Sequence, residues 1–136
     1  MIGEPRGDAA ESVLTSISNE MVQSKKRFFG KGPAEVKTYM MDDLCFCVMR
    51  GGLTRAEQTM LDAGRPDQVR AFRQLFQNEM TDHLMGAVAK ITGRTVVTYQ
   101  SQIMFDPTIV VEMFVFADRA PESAVDATAR DQLDEV

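Results

Sequence analysis

Apolar residues recur at helical spacing in two long stretches of the chain. The first stretch covers residues 8–29 and stops at Gly30, and the second runs from Pro66 to Gly93. Apolar positions three and four residues apart lie on one face of a helix, and glycine commonly terminates a helix because it tolerates the left-handed conformation. The pattern therefore predicts two long amphipathic helices.

Four shorter stretches have the apolar and β-branched composition of strands. The first two, residues 36–41 and 44–50, are separated by two aspartates, and the last two, residues 95–104 and 109–117, by the sequence FDPT. Aspartate and proline favour tight turns. We therefore expect two β-hairpins, one before the second long helix and one after it.

A short helix is expected between the first hairpin and the second long helix. Gly51 and Gly52 end the strand pairing, and Thr54 and Glu57 have the spacing of a capping box, in which each side chain bonds the other residue's free backbone amide. The predicted order is helix, two strands, two helices, two strands. This order indicates the α+β class, with a four-stranded antiparallel sheet and the long helices packed on one of its faces.

Both faces of the predicted sheet carry apolar side chains. In the strand LCFCVMR, Leu44 and Phe46 point to one face while Cys45 and Cys47 point to the other, and the strand IVVEMFVF is apolar on both faces except at Glu112. The two long helices suffice to cover about one face, so the other face is exposed, covered by the short helix or buried against another chain. Because a large exposed apolar patch usually marks an interface, we expect the second face to be buried in a homodimer.

The boundaries of the domain follow from composition and charge. We expect disordered residues at 1–7, one domain over residues 8–117, and an acidic, disordered tail over residues 118–136. The tail has six acidic and two basic residues, which give it a charge of −4 within a chain of net charge −5. A chain this acidic lacks the positive field that attracts nucleic acid, so no nucleic-acid partner is predicted.

Hydropathy and cysteine usage bear on the compartment. The chain has no apolar run long enough for an export signal or a membrane span. Its two cysteines, Cys45 and Cys47, are separated by one residue on the same strand. They are therefore poorly placed to form a disulfide with each other. We expect a reduced, cytoplasmic protein that is not embedded in a membrane.

The loop after the first helix resembles a phosphate-binding loop in composition but not in position. Residues 30–33, with the sequence GKGP, follow a helix and precede a strand, whereas a phosphate loop follows a strand and leads into a helix whose amides bind the anion. The loop therefore predicts a chain reversal. One histidine, His83, and the two cysteines are too few for a zinc site, so we expect no metal. The carboxylates are scattered along the chain and converge on no pocket, so we also expect no cofactor and no catalytic residue.

Several short motifs occur in a characteristic order along the chain. They are the run GKGPAEVKTY from Gly30 to Tyr39, the two aspartates that follow it, GGLTRAE from Gly51 to Glu57, and ITG ending at Gly93. In this order they resemble the small bacterial MpsC-like domain family over about residues 10–117. That family is named for a proposed Na+-translocating, membrane-potential-generating system. The resemblance implies a cytosolic accessory protein near an ion or inorganic-carbon uptake system, and it brings no catalytic residues with it.

Two functional hypotheses from different classes remain open. In the first, the protein is a non-enzymatic, dimeric module that docks a protein partner at a membrane transport system through distinctive loop residues. In the second, it is a small-molecule sensor or an enzyme whose pocket lies between the second long helix and the sheet near His83. The residues expected to bind a partner under the first hypothesis are Lys31, Gly32, Pro33, Lys37, Tyr39, Arg50, Thr54 and Glu57.

Overall fold

The computed structural model describes residues 3–117, and it describes their side chains from residue 9 onward. Within these residues lie three helices and four strands in the order α-β-β-α-α-β-β, which confirms the predicted fold class. The elements are α1 (Gly3–Phe29), β1 (Glu35–Met41), β2 (Leu44–Arg50), α2 (Arg55–Asp62), α3 (Pro66–Thr92), β3 (Val96–Met104) and β4 (Ile109–Phe116).

The first helix is longer than its apolar pattern indicates. It begins at Gly3, whereas the pattern places its start at Asp8. A proline at position 5 is compatible with this start because the first backbone amides of a helix have no acceptor within it. Helix α1 therefore includes most of residues 1–7, and the predicted acidic tail at residues 118–136 lies outside the described residues.

The four strands form one antiparallel sheet in the order β1-β2-β4-β3. Strands β1 and β2 form the first predicted hairpin and β3 and β4 the second, and the two hairpins join through the pairing of β2 with β4. The strands with the most apolar sequences are thus central. The more polar strands, β1 and β3, form the two edges.

One face of the sheet is covered by the two long helices. Helix α1 packs on β1 and β2, and helix α3 packs on β3 and on α1. The buried side chains alternate along the strands, as expected for a sheet with one covered face. The core formed there contains Ile17, Met21, Met80, Leu84 and Val88 from the helices, and Cys45, Cys47, Met49, Tyr99, Ile103, Val110, Phe114 and Phe116 from the sheet.

A row of polar residues crosses the middle of this covered face. Thr38, Cys47, Glu112 and Ser101 are register neighbours on the four strands. Apolar residues flank the row on both sides. Because buried polar groups must be paired, this row restricts how the helices can lie on the sheet.

The helices meet the polar row with polar side chains of their own. On α1, the hydroxyl of Ser18 lies 2.7 Å from the hydroxyl of Thr38. On α3, the side-chain oxygen of Gln77 accepts a hydrogen bond of 3.1 Å from the backbone amide of Ser101. The Lys25 ammonium lies 2.5 Å from the carboxylate of Glu112. Each long helix is therefore fixed to the centre of the sheet by a polar contact as well as by apolar packing.

Candidate functional site

The sheet face opposite α1 and α3 is apolar and uncovered in the described part of the chain. Met41, Tyr39 and Met104 are 64%, 46% and 43% exposed. The apolar residues of the two central strands that point to this side are half-buried by one another and by neighbouring side chains. We call this surface the open face, and its apolar members are Tyr39, Met41, Leu44, Phe46, Val48, Met104, Ile109, Val111, Met113 and Val115.

Polar side chains surround the apolar centre of the open face. Along the edge strand β3, Thr98, Gln100 and Gln102 are exposed on this side. At the opposite corner, Lys37 and Arg50 lie beside a depression of about 480 Å³. An apolar centre with a polar rim is the usual composition of a protein–protein interface.

Three of the predicted partner-binding residues lie together at this corner. Lys37, Tyr39 and Arg50 line the same depression on the adjacent strands β1 and β2. The Lys37 ammonium is 5.3 Å from the centre of the Tyr39 ring, a cation–π distance. The sequence predicts these residues only as partner contacts, and the structure brings them together at the margin of the open face.

Another three of the predicted partner-binding residues lie in the loop between α1 and β1. They are Lys31, Gly32 and Pro33. Helix α1 ends in a left-handed residue, Gly30, with φ +82°, so the loop is a chain reversal as predicted. The loop packs against the segment after β2. A Cβ at Gly52 would lie 3.2 Å from the Cα of Pro33, so only glycine fits there without a shift of the backbone.

The last two predicted partner-binding residues are Thr54 and Glu57, and their side chains point toward the protein and not toward solvent. They form the predicted capping box: the Glu57 amide donates to Thr54 Oγ1 at 3.2 Å, and the Thr54 amide donates to Glu57 Oε1 at 2.9 Å. Glu57 is only 4% exposed. These residues therefore fix the start of α2, beside the loop that Lys31 belongs to.

Glu57 also forms an ion pair that the sequence did not reveal. Arg73 donates from Nε to Glu57 Oε2 at 2.5 Å and from Nη2 to Oε1 at 2.7 Å, and the same Nη2 donates to the Gly52 carbonyl at 3.2 Å. Burial raises the pKa of Glu57, but the hydrogen bonds from Arg73 and Thr54 outweigh it and leave the pKa below its ordinary value. Glu57 is thus a carboxylate that joins α2, α3 and the Gly52 loop.

The second buried carboxylate, Glu112, is also paired. It is fully buried, contacts Lys25, and accepts a hydrogen bond from the Tyr99 hydroxyl. Burial and the nearby carboxylate raise the pKa of Tyr99 far above its usual range, so the phenol remains a donor. The only signal for this cluster in the sequence is the single acidic residue in the apolar strand IVVEMFVF.

The predicted alternative site around His83 is arranged differently from the expectation. His83 Nε2 lies 3.4 Å from both Glu20 Oε2 and Ser24 Oγ, and its ring meets that of Phe28 edge-on. The histidine therefore contacts α1. The space between α3 and β3, about 310 Å³, is lined by other residues, including Gln74 and Gln102.

Residues 3–117 offer neither a metal site nor a membrane span. Among these residues, no group of three or more His, Cys, Asp or Glu side chains is arranged to hold a metal ion. Across the same range, the helices are too short or too polar to cross a membrane.

Comparison with known proteins identifies a family. A protein-family model described as MpsC, Na+-translocating membrane potential-generating system, matches residues 10–118. Neither the curated proteins nor the solved structures include a match to the chain.

Proposed function

The chain belongs to the MpsC family, and we propose that it is a non-enzymatic interaction module that acts as a homodimer. The description of the family links the domain to a Na+-translocating, membrane-potential-generating system. In our proposal the protein is a cytoplasmic accessory of such a system and docks a protein component of it.

The observation that supports the dimer most strongly is the open face. Ten apolar residues lie side by side on four strands, and the helices of residues 3–117 all pack elsewhere. Strands of seven to nine residues at about 3.3 Å each, spaced by about 4.8 Å, give a face of about 25 by 20 Å. With its polar rim, such a face approaches the roughly 800 Å² per partner that a stable dimer buries.

In a two-fold dimer, a second copy of the same chain buries the open face, and no other protein is needed to cover it. Two copies that stack their open faces bury the same residues twice, because an isologous contact uses one patch on both subunits. The two sheets then form a sandwich with a shared core about 10 Å thick. Phe46 and Met113, which are register partners on the central strands, lie near the middle of such a contact.

The surface left for another protein partner is the rim. Lys37, Tyr39 and Arg50 lie at the margin of the open face, and Lys31 and Pro33 lie on the loop next to β1. Lys31 and Lys37 are exposed cations in an acidic chain. We expect them to contact an acidic surface of the partner, with Thr54 and Glu57 supporting the loop from the inside.

The interior chemistry favours binding over catalysis. Within the described residues, the two buried carboxylates, Glu57 and Glu112, are each paired with a cation. A general acid or base needs a pKa near the working pH and access to a substrate proton. Carboxylates held in ion pairs between helices and sheet serve instead to fix the structure.

The dimer is tested by placing a charge on the open face. Met41→Asp changes a side chain that is 64% exposed in the single chain, and Leu75→Asp makes the same kind of change at a residue of α3 that is also 64% exposed. In sedimentation velocity we expect Met41→Asp to weaken the dimer by about tenfold or more and Leu75→Asp to leave it intact. Equal effects of the two variants would contradict the use of the open face.

The partner surface is tested by charge reversal. We expect Lys31→Glu with Lys37→Glu to abolish crosslinking to a membrane-system component in cells that encode this protein, because both contacts become repulsive. Lys90→Glu, an exposed lysine on α3, is the control for the added negative charge. Crosslinks that survive the double reversal would reject the rim as the docking surface.

A further inference from the structure

A cleft of about 500 Å³ opens between the three helices, away from the open face. Its walls come from the C-terminal end of α1, from α2 and from the first half of α3. The side chains that line it include Phe29, Glu57, Met60, Gln68, Phe72 and Phe76.

Aromatic rings form most of the apolar wall. The ring centres of Phe29 and Phe76 are 4.6 Å apart, and those of Phe72 and Phe76 are 4.9 Å apart. Phe72 remains 45% exposed although it belongs to this cluster. An aromatic side chain left half uncovered beside a concave surface can still gain contacts from a ligand.

The charged groups at the cleft are already satisfied by each other. Glu57 accepts from Arg73 twice and from the amide and hydroxyl of Thr54, so both of its oxygens are engaged. The Arg73 guanidinium also lies 4.2 Å from the centre of the Phe29 ring. A charged ligand group entering this space would lose water without gaining a free partner of opposite charge.

We propose that this cleft binds a small uncharged molecule with a flat apolar body. Volumes of about 300–1,000 Å³ are typical of small-molecule sites, and flat rings pack favourably against the edges and faces of aromatic side chains. The inference goes beyond the interaction role and does not depend on the dimer, because the cleft and the open face share no residue. Thr54 and Glu57 line the cleft and also support the docking loop from the inside.

The test uses 2-naphthol, an uncharged two-ring probe, and its anionic analogue 2-naphthoate. Met60 lines the cleft and carries a methyl group that can be followed by NMR after isotope labelling of the methionines. We expect 2-naphthol to shift the Met60 methyl signal in a saturable way. We expect 2-naphthoate to bind at least about tenfold more weakly, because its carboxylate would be desolvated without a partner.

Two matched variants locate the binding. Gln68→Trp places a large ring at the cleft, and Gln74→Trp makes the same change at an exposed position of α3 that does not line it. We expect Gln68→Trp to weaken 2-naphthol binding by about tenfold and Gln74→Trp to leave it unchanged. The thermal unfolding of each variant reports whether it is folded.

Three results would overturn the proposal. They are a Met60 signal that does not saturate, binding of 2-naphthoate as tight as that of 2-naphthol, and equal losses in Gln68→Trp and Gln74→Trp. The molar mass of the same samples reports separately on the dimer, so a failure of the ligand site and a failure of the dimer give different results.

Discussion

At the scale of single residues, Glu57 connects more parts of the molecule than any motif indicated. It caps α2 through Thr54, and it holds Arg73 of α3, which in turn donates to the carbonyl of Gly52. Removing one partner of a buried ion pair leaves the other charge uncompensated. We therefore expect the stability of the region where α2, α3 and the Gly52 carbonyl meet to depend on the ionised form of Glu57.

We predict that Glu57→Gln lowers the free energy of unfolding by about 2–3 kcal/mol at neutral pH. Because folding lowers the Glu57 pKa, the contribution of its carboxylate is present above the ordinary value of 4.5 and is lost as the pH falls through the folded-state pKa. Urea unfolding of both proteins should show a difference that shrinks below about pH 4.5. A difference that stays constant or grows on acidification would contradict this role.

The sequence reveals which residues share a face, but not which distant residues meet. Thr54 and Glu57 could be paired in advance because a capping box is a local pattern. Arg73 and Lys25 could not be assigned to Glu57 and Glu112, because those pairs form only when α3 and α1 have packed. For the same reason, His83 was placed beside the sheet in the prediction, whereas it lies beside α1.

At the scale of elements, the predicted type and order are confirmed because glycines and turn residues mark most of the boundaries. Gly93 has φ +70° and caps α3, as its position after the apolar stripe indicates. Helix α1 starts earlier than its apolar pattern predicts, because polar residues can extend a helix without adding to that pattern. Which strands of the two hairpins meet depends on long-range pairing, so the order β1-β2-β4-β3 came from the structure.

The capping box gives a prediction for α2. We expect Thr54→Ala to lower the free energy of unfolding by about 1 kcal/mol and to speed hydrogen exchange in α2, because the Glu57 amide loses its acceptor. Thr59→Ala is the matched control on the same helix, where the hydroxyl donates only to the Arg55 carbonyl, and we expect a change within about 0.5 kcal/mol. If the two variants are equally unstable, the cap does not stabilise α2.

Taken as a whole, residues 3–117 form a two-layer domain in which the helices pack on one side of the sheet only. The prediction of an uncovered face needed no knowledge of strand order, because the two most apolar strands carry apolar residues on both sides and the two predicted long helices cover only about one face. What the sequence could not locate is the rim. Lys37, Tyr39 and Arg50 become a group only once β1 and β2 are paired.

The proposed dimer, in which a second copy covers the open face, predicts a doubled molar mass in solution. Light scattering during size-exclusion chromatography measures that mass without labels or variants. We predict about 30 kDa, twice the 15.2 kDa of one chain, over a wide range of protein concentration. A constant mass of 15.2 kDa over that range would contradict the proposed dimer.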